Sequence, residues 1–140
     1  MPLNRREICS LLPLAMLSSL SAGADTKLTS QAFSFNSLPV HKGKAADSRA
    51  IVRGKTPTGE AVEVHETTLH PGEMPHAPHH HQHSEFWLIR EGSVEITING
   101  QHYQLGPGSA AFAASNDEHS IKNVGATSAN YFVVAIGPTA

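Results

Sequence analysis

Ten histidines stand in a chain of 140 residues, and five of them, His76, His79, His80, His81 and His83, fall within eight consecutive positions. Imidazole is the commonest side-chain metal ligand, and it titrates near neutrality, so such a cluster points to metal binding or proton transfer. His79 and His81 are two apart and would project from one face of an extended chain. Glu85 lies six residues beyond His79, roughly 20 Å away along a straight strand. Donors to one ion sit about 2 Å from it, so the chain must turn near Gln82–Ser84 if Glu85 is to join the two histidines. Gln82, His83 and Ser84 are polar and suit a turn. Glu85 also opens the apolar run Phe86-Trp87-Leu88-Ile89; a carboxylate at the root of a core strand needs a partner, and a metal is a good one. Taken alone, the run could equally be a solvated, tag-like histidine tract.

The elements that must position these residues read as strands. Ala61–Leu69 alternates and stops at Pro71-Gly72, and Glu85–Arg90 is rich in aromatic and branched residues and stops at Gly92. Val94, Ile96 and Ile98 alternate with Ser93, Glu95 and Thr97, as in a half-buried strand. Asn99-Gly100 is a strong two-residue hairpin signal, Gln101–Leu105 returns from it, and Gly106-Pro107-Gly108 turns again. Ala110–Ala114, Ser120–Val124 and Tyr131–Ile136 complete the series. Upstream, Ala50–Arg53 is a short apolar run, Phe33 and Phe35 share parity and suggest a first short strand, and His41–Asp47 reads as a loop. Short strands at near-regular spacing argue an all-β barrel or sandwich. Closure as a barrel or jelly roll is favoured, because it removes exposed edges.

The amino-terminal residues read as a targeting segment. Arg5-Arg6 precede an apolar stretch from Ile8 to Leu20, and Ala22-Gly23-Ala24 matches a small-x-small cleavage site. The expected division is a signal peptide over 1–24, an N-terminal segment over 25–49 and the barrel over 50–140. Export to the periplasm or beyond follows, with no stable membrane anchor after cleavage, since the stretch is shorter than the about 20 apolar residues of a spanning helix. Asn4-Arg5-Arg6 also resembles a twin-arginine signal, although Asn stands where Ser or Thr is usual. Cys9, the only cysteine, lies inside this leader, so the mature chain has no disulfide although it would live where disulfides persist. A net charge of −2 gives no electrostatic draw toward nucleic acid.

Two stretches carry a resemblance to a known family. Gly72-x6-His79-x-His81-x3-Glu85-x6-Gly92 is similar to the first cupin motif, G-x5-H-x-H-x3,4-E-x6-G, with one extra residue after Gly72. Gly108-x5-Ala114-x-Asn116-x2-His119-x3-Asn123 resembles the second, G-x5-P-x-G-x2-H-x3-N, with Ala114 in place of proline and Asn116 in place of glycine. Asn is the next best residue after Gly at positive φ, so that turn can survive. The resemblance implies a small single-domain cupin, a double-stranded β-helix or jelly-roll barrel, with His79, His81, Glu85 and His119 as ligands of one divalent metal ion. It implies other roles for the remaining histidines: His76, His80 and His83 at the pocket mouth or in solvent, His65 and His70 as half-exposed strand residues.

Three imidazoles and a carboxylate suit Fe, Mn, Ni, Cu, Co or Zn, and ligand type does not choose among them. By resemblance the expected function is a metal-dependent, dioxygenase-like enzyme acting on a small oxygen-rich molecule. The alternatives are a non-catalytic sugar- or carboxylate-binding protein and a metal-dependent isomerase or lyase. Glu63, His65, Glu66 and His83 are equal candidates for a pocket base. If Glu85, Trp87 and Ile89 face the metal cavity, Phe86 and Leu88 must point out of the barrel; that apolar patch predicts a homodimer, unless the segment carrying Phe33 and Phe35 covers it.

Overall fold

The computed structural model describes residues 25–140; the expected leader lies outside the described residues. Eight strands form two antiparallel sheets: β1 (Ala46–Lys55), β2 (Ala61–Leu69), β3 (Ser84–Glu91), β4 (Val94–Ile98), β5 (Gln101–Leu105), β6 (Ala110–Ala113), β7 (His119–Asn123) and β8 (Ala129–Ile136). One sheet has the order β1-β2-β8-β3-β6 and the other β5-β4-β7. Their inner faces share one core: Leu69, Trp87, Ile89, Tyr131 and Val133 from the first meet Val94, Ile96 and Ile121 from the second. This is the jelly-roll arrangement. Among the described residues no helix is long and apolar enough to cross a membrane.

The hairpin expected at Asn99-Gly100 is present. It joins β4 to β5 in the register Ile98↔Gln101, with φ of 47° and 77° at its two central residues, as a two-residue turn with both residues left-handed requires. Period-two alternation also assigns β3 as expected: Trp87 and Ile89 are buried, whereas Phe86 and Leu88 are 39% and 45% exposed.

The upstream reading needs two corrections. The first long strand begins at Ala46, inside the expected loop, and pairs with β2 from Ala46↔Leu69 to Lys55↔Ala61. Only His41–Ala45 remains as a tight connection, closed by backbone bonds between His41 and Ser48 and by a Lys42–Asp47 ion pair. Phe33 and Phe35 form no strand: Phe35–Ser37 is a single 3₁₀ turn. The guanidinium groups of Arg49 and Arg90 lie 4.4 and 4.7 Å from the Phe35 ring centre, a favourable cation–π geometry. Phe86 and Leu88 stay exposed.

Candidate metal centre

The turn demanded between His81 and Glu85 exists, and it sets two ligating elements on opposite sheets. His79 pairs with His119 through reciprocal backbone bonds, His79 N–H to His119 O at 3.1 Å and His119 N–H to His79 O at 2.9 Å, so the histidine run extends the smaller sheet beside β7. The Asn116 N–H donates to His81 O at 2.8 Å. Asn116 makes this bond from φ 64°, the left-handed conformation that its replacement of glycine has to permit. The chain enters β3 of the larger sheet at Ser84, and Glu85 comes back beside His81 and His119.

His79, His81 and His119 offer donor atoms within 4.8 Å of one another. Their rings meet edge to face, with centroids 4.6 Å apart for both His79–His119 and His81–His119. Glu85 Oε1 lies 3.2 Å from His81 Nε2 and Oε2 lies 3.6 Å from His119 Nε2. His81 Nδ1–H donates to His83 O at 2.9 Å and His119 Nδ1–H donates to Asp117 O at 2.8 Å. Each bond fixes the tautomer and leaves an Nε2 lone pair aimed at the shared centre, as metal-ligating histidines require.

His79 Nδ1, His81 Nε2 and His119 Nε2 are buried without a hydrogen-bond partner. Orphaned buried acceptors are costly, and a cation at the centre would satisfy those of His81 and His119. The electrostatics agree. Burial holds the imidazoles of His79 and His119 below the usual histidine range; His76 adds to this at His79, while at His119 burial outweighs the opposing Asp117 carbonyl and Glu85 carboxylate. Both rings are therefore neutral and able to ligate at neutral pH. The donor set thus fits a divalent metal ion.

The structure sorts the other histidines. His80 is exposed, and His76 stands edge-on to His79 at 4.1 Å between ring centres without joining the donor groups. His65 and His70 are partly exposed on and beside β2, within 2.9 Å of Glu63 and 3.6 Å of Asp47 respectively. His83, expected at the mouth, lines it and also reaches the centre. Its ring stacks on His81 at 3.5 Å and 16°, its Nε2 lies 3.3 Å from Glu85 Oε1, and with His81 and Glu85 it makes a second possible donor group. The signal available was its parity, since His79, His81 and His83 alternate in step.

Two spaces adjoin the centre, and Glu85 borders both. An inner chamber of about 590 Å³ is lined by His65, Thr67, Trp87, His119, Ser120 and Tyr131 among others. A wider mouth of about 1040 Å³ lies between the histidine run and the N-terminal segment near Leu28 and Phe33. Ala113 is buried in the core and Ala111 packs against it, so these small side chains serve packing. Burial raises the Tyr131 phenol well above its ordinary value, which keeps it a neutral wall of the chamber.

Comparison with known proteins agrees with this geometry. L-ectoine synthase from Bordetella parapertussis is 41% identical over 63 residues, covering 44% of this chain and 47% of that protein. Mannose-1-phosphate guanylyltransferase ManC from Salmonella typhimurium is 31% identical over 67 residues, 48% of this chain and 14% of that protein. The match therefore spans half or less of either relative. Among solved structures, an RmlC-like cupin from Shewanella frigidimarina superposes with a TM-score of 0.66 at 16% identity, covering 79% of this chain and 94% of that one. A predicted oxalate decarboxylase from Thermotoga maritima gives 0.64 at 19% identity, covering 76% and 98%. At such identities these two structures establish a shared fold. The sequence model of the cupin domain matches residues 65–135, half of the chain and both of its histidine-bearing motifs, and the chain belongs to that family.

Proposed function

We propose that this cupin is a metal-dependent enzyme acting on a small oxygen-rich molecule, with His79, His81, Glu85 and His119 holding one divalent transition-metal ion. The observation that carries the reading is three imidazoles with donor atoms within 4.8 Å of one another, two of them presenting buried, unpartnered Nε2 atoms to the Glu85 carboxylate, beside a chamber large enough for a small ligand. A metal held there supplies Lewis-acid activation of substrate oxygens. His83, at hydrogen-bond distance from Glu85 Oε1, orients that carboxylate. Oxidative cleavage by O₂ is the leading reaction, in line with the dioxygenase-like expectation. A panel of diols and polyphenols offered to metal-loaded protein should consume O₂. Turnover under argon would assign an isomerase or lyase instead, and ligand-induced melting shifts without turnover would assign a binding protein.

Two further proposals concern where and how the protein works. The first is export, supported by the arrangement of Arg5-Arg6, the apolar stretch and Ala22-Gly23-Ala24. Mass spectrometry of native protein should then find a start at Asp25, and a soluble pool retaining Met1 would sink the idea. The second is a homodimer, supported by the exposed aromatic face of the larger sheet.

A further inference from the structure

The inward face of β2 carries a pair that the metal centre does not use. Registers across β2, β8 and β3 run Glu63↔Ala135↔Glu85, His65↔Val133↔Trp87 and Thr67↔Tyr131↔Ile89. Trp87, Ile89, Tyr131 and Val133 belong to the core, so Glu63, His65 and Thr67 point into the same interior. Glu63 and Glu85 sit two strands apart, about 10 Å between their backbones, with Ala135 between them in register, and both border the mouth.

Within the pair, His65 Nδ1 lies 3.0 Å from Glu63 Oε1 and 2.9 Å from Oε2. The carboxylate can only accept, so Nδ1 carries a hydrogen, and in the neutral ring the lone pair is then on Nε2. Among the described residues no hydrogen bond engages His65 Nε2, and His65 lines the inner chamber with Glu85 and His119 while Glu63 borders the mouth. The other candidates for a base are occupied. Glu66 is fully buried on the opposite face, bound by Arg49, Thr68 and Asn130, and His83 is stacked on His81.

We propose that His65, oriented by Glu63, is the catalytic base that takes a proton from a hydroxyl group of the substrate; this rests on the metal-centre reading above. The O–H bond breaks, its electron pair stays on the substrate oxygen, and the proton moves to Nε2. The resulting imidazolium keeps its Nδ1–H on the Glu63 carboxylate, which stabilises the new charge. Glu63 is a positioning residue that holds the ring through Nδ1.

Zinc-loaded protein titrated with 4-nitrocatechol tests the assignment. Long-range ¹H–¹⁵N spectra should show the His65 ring protonated on Nδ1 alone at the start and on both nitrogens at saturation, with the probe's absorbance that of its dianion. Glu63→Gln should retain zinc but lower the doubly protonated fraction, and His65→Gln should weaken probe binding about tenfold, as expected for losing a hydrogen bond to a charged group. A starting ring protonated on Nε2, or a ring unchanged at saturation while zinc and probe are both bound, overturns the assignment of His65. Failure to bind zinc or the probe overturns the metal-centre reading, and the assignment with it.

Discussion

His119→Ala is expected to abolish stoichiometric metal binding, and His81→Ala to do the same, while His76→Ala and His80→Ala leave it intact. His119 is only 2% exposed and supplies the donor from β7 that completes the set begun by His79 and His81. Loss of an outer-shell partner alone typically costs roughly 10- to 100-fold in metal affinity, and loss of a ligand should exceed that. Elemental analysis of purified variants is the measurement, and metal that survives loss of His119 would rule out the four-ligand site. Stability should follow occupancy. At a free metal concentration 100 times its Kd, binding to the native state alone contributes about 2.7 kcal/mol, or about 10 °C in the melting temperature of a domain this size. The melting gap between metal-loaded and metal-free protein should vanish in His119→Ala.

Phe86→Glu is expected to halve the mass in solution of the protein comprising residues 25–140. Phe86 packs its ring against Phe112 at 4.7 Å between centres, and Phe86, Leu88, Phe112 and Ile136 are 39%, 45%, 48% and 37% exposed. They lie on neighbouring strands, with Phe86 opposite both Phe112 and Val134 and Leu88 opposite Phe132, so they form one apolar patch on the outer face. A patch of this kind marks an interface, and Phe35, held by Arg49 and Arg90, does not cover it. Light scattering at micromolar concentration should give about 24 kDa for the unaltered protein and about 12 kDa for the variant, taking ~110 Da per residue. A mass near 12 kDa for the unaltered protein refutes the dimer. Because Phe86 points away from the core, unchanged emission from buried Trp87 would show that the variant still folds.

The sequence was most legible where side chains alternate against a single core. In β3 the alternation of Trp87 and Ile89 with Phe86 and Leu88 gives both the buried face and the exposed one, and Asn99-Gly100 gives the hairpin, because its backbone geometry is local. β1 was half hidden, since Ala46–Arg49 has no apolar period. Its outward Arg49 is held by buried Glu66 at 2.8 Å, a partner 17 positions away in the chain. His83 lines the mouth, as expected, but its stacking on His81 was hidden because it depends on the turn at Gln82–Ser84. The Glu63–His65 pair was visible as an i, i+2 spacing on one strand face, but only the register through β8 shows that the face is shared with Glu85.

The irregular strap leading to His79 is tied to β7 at both ends, by Asn123 N–H to Glu73 O and by the paired bonds between His79 and His119. Along β7 that interval is four steps, from His119 to Asn123, whereas the strap takes six, from Glu73 to His79. The surplus is slack, housed around Pro75 and Pro78, neither of which has an N–H to leave unpaired. The residue by which this loop exceeds the usual motif length falls in the stretch that contains this slack, and the two tethers keep it from displacing His79. Distance counted along the chain is therefore a poor ruler for this ligand. The loop behaves as a slot that can accept grafted residues, with the ligand's position set by a cross-strand latch.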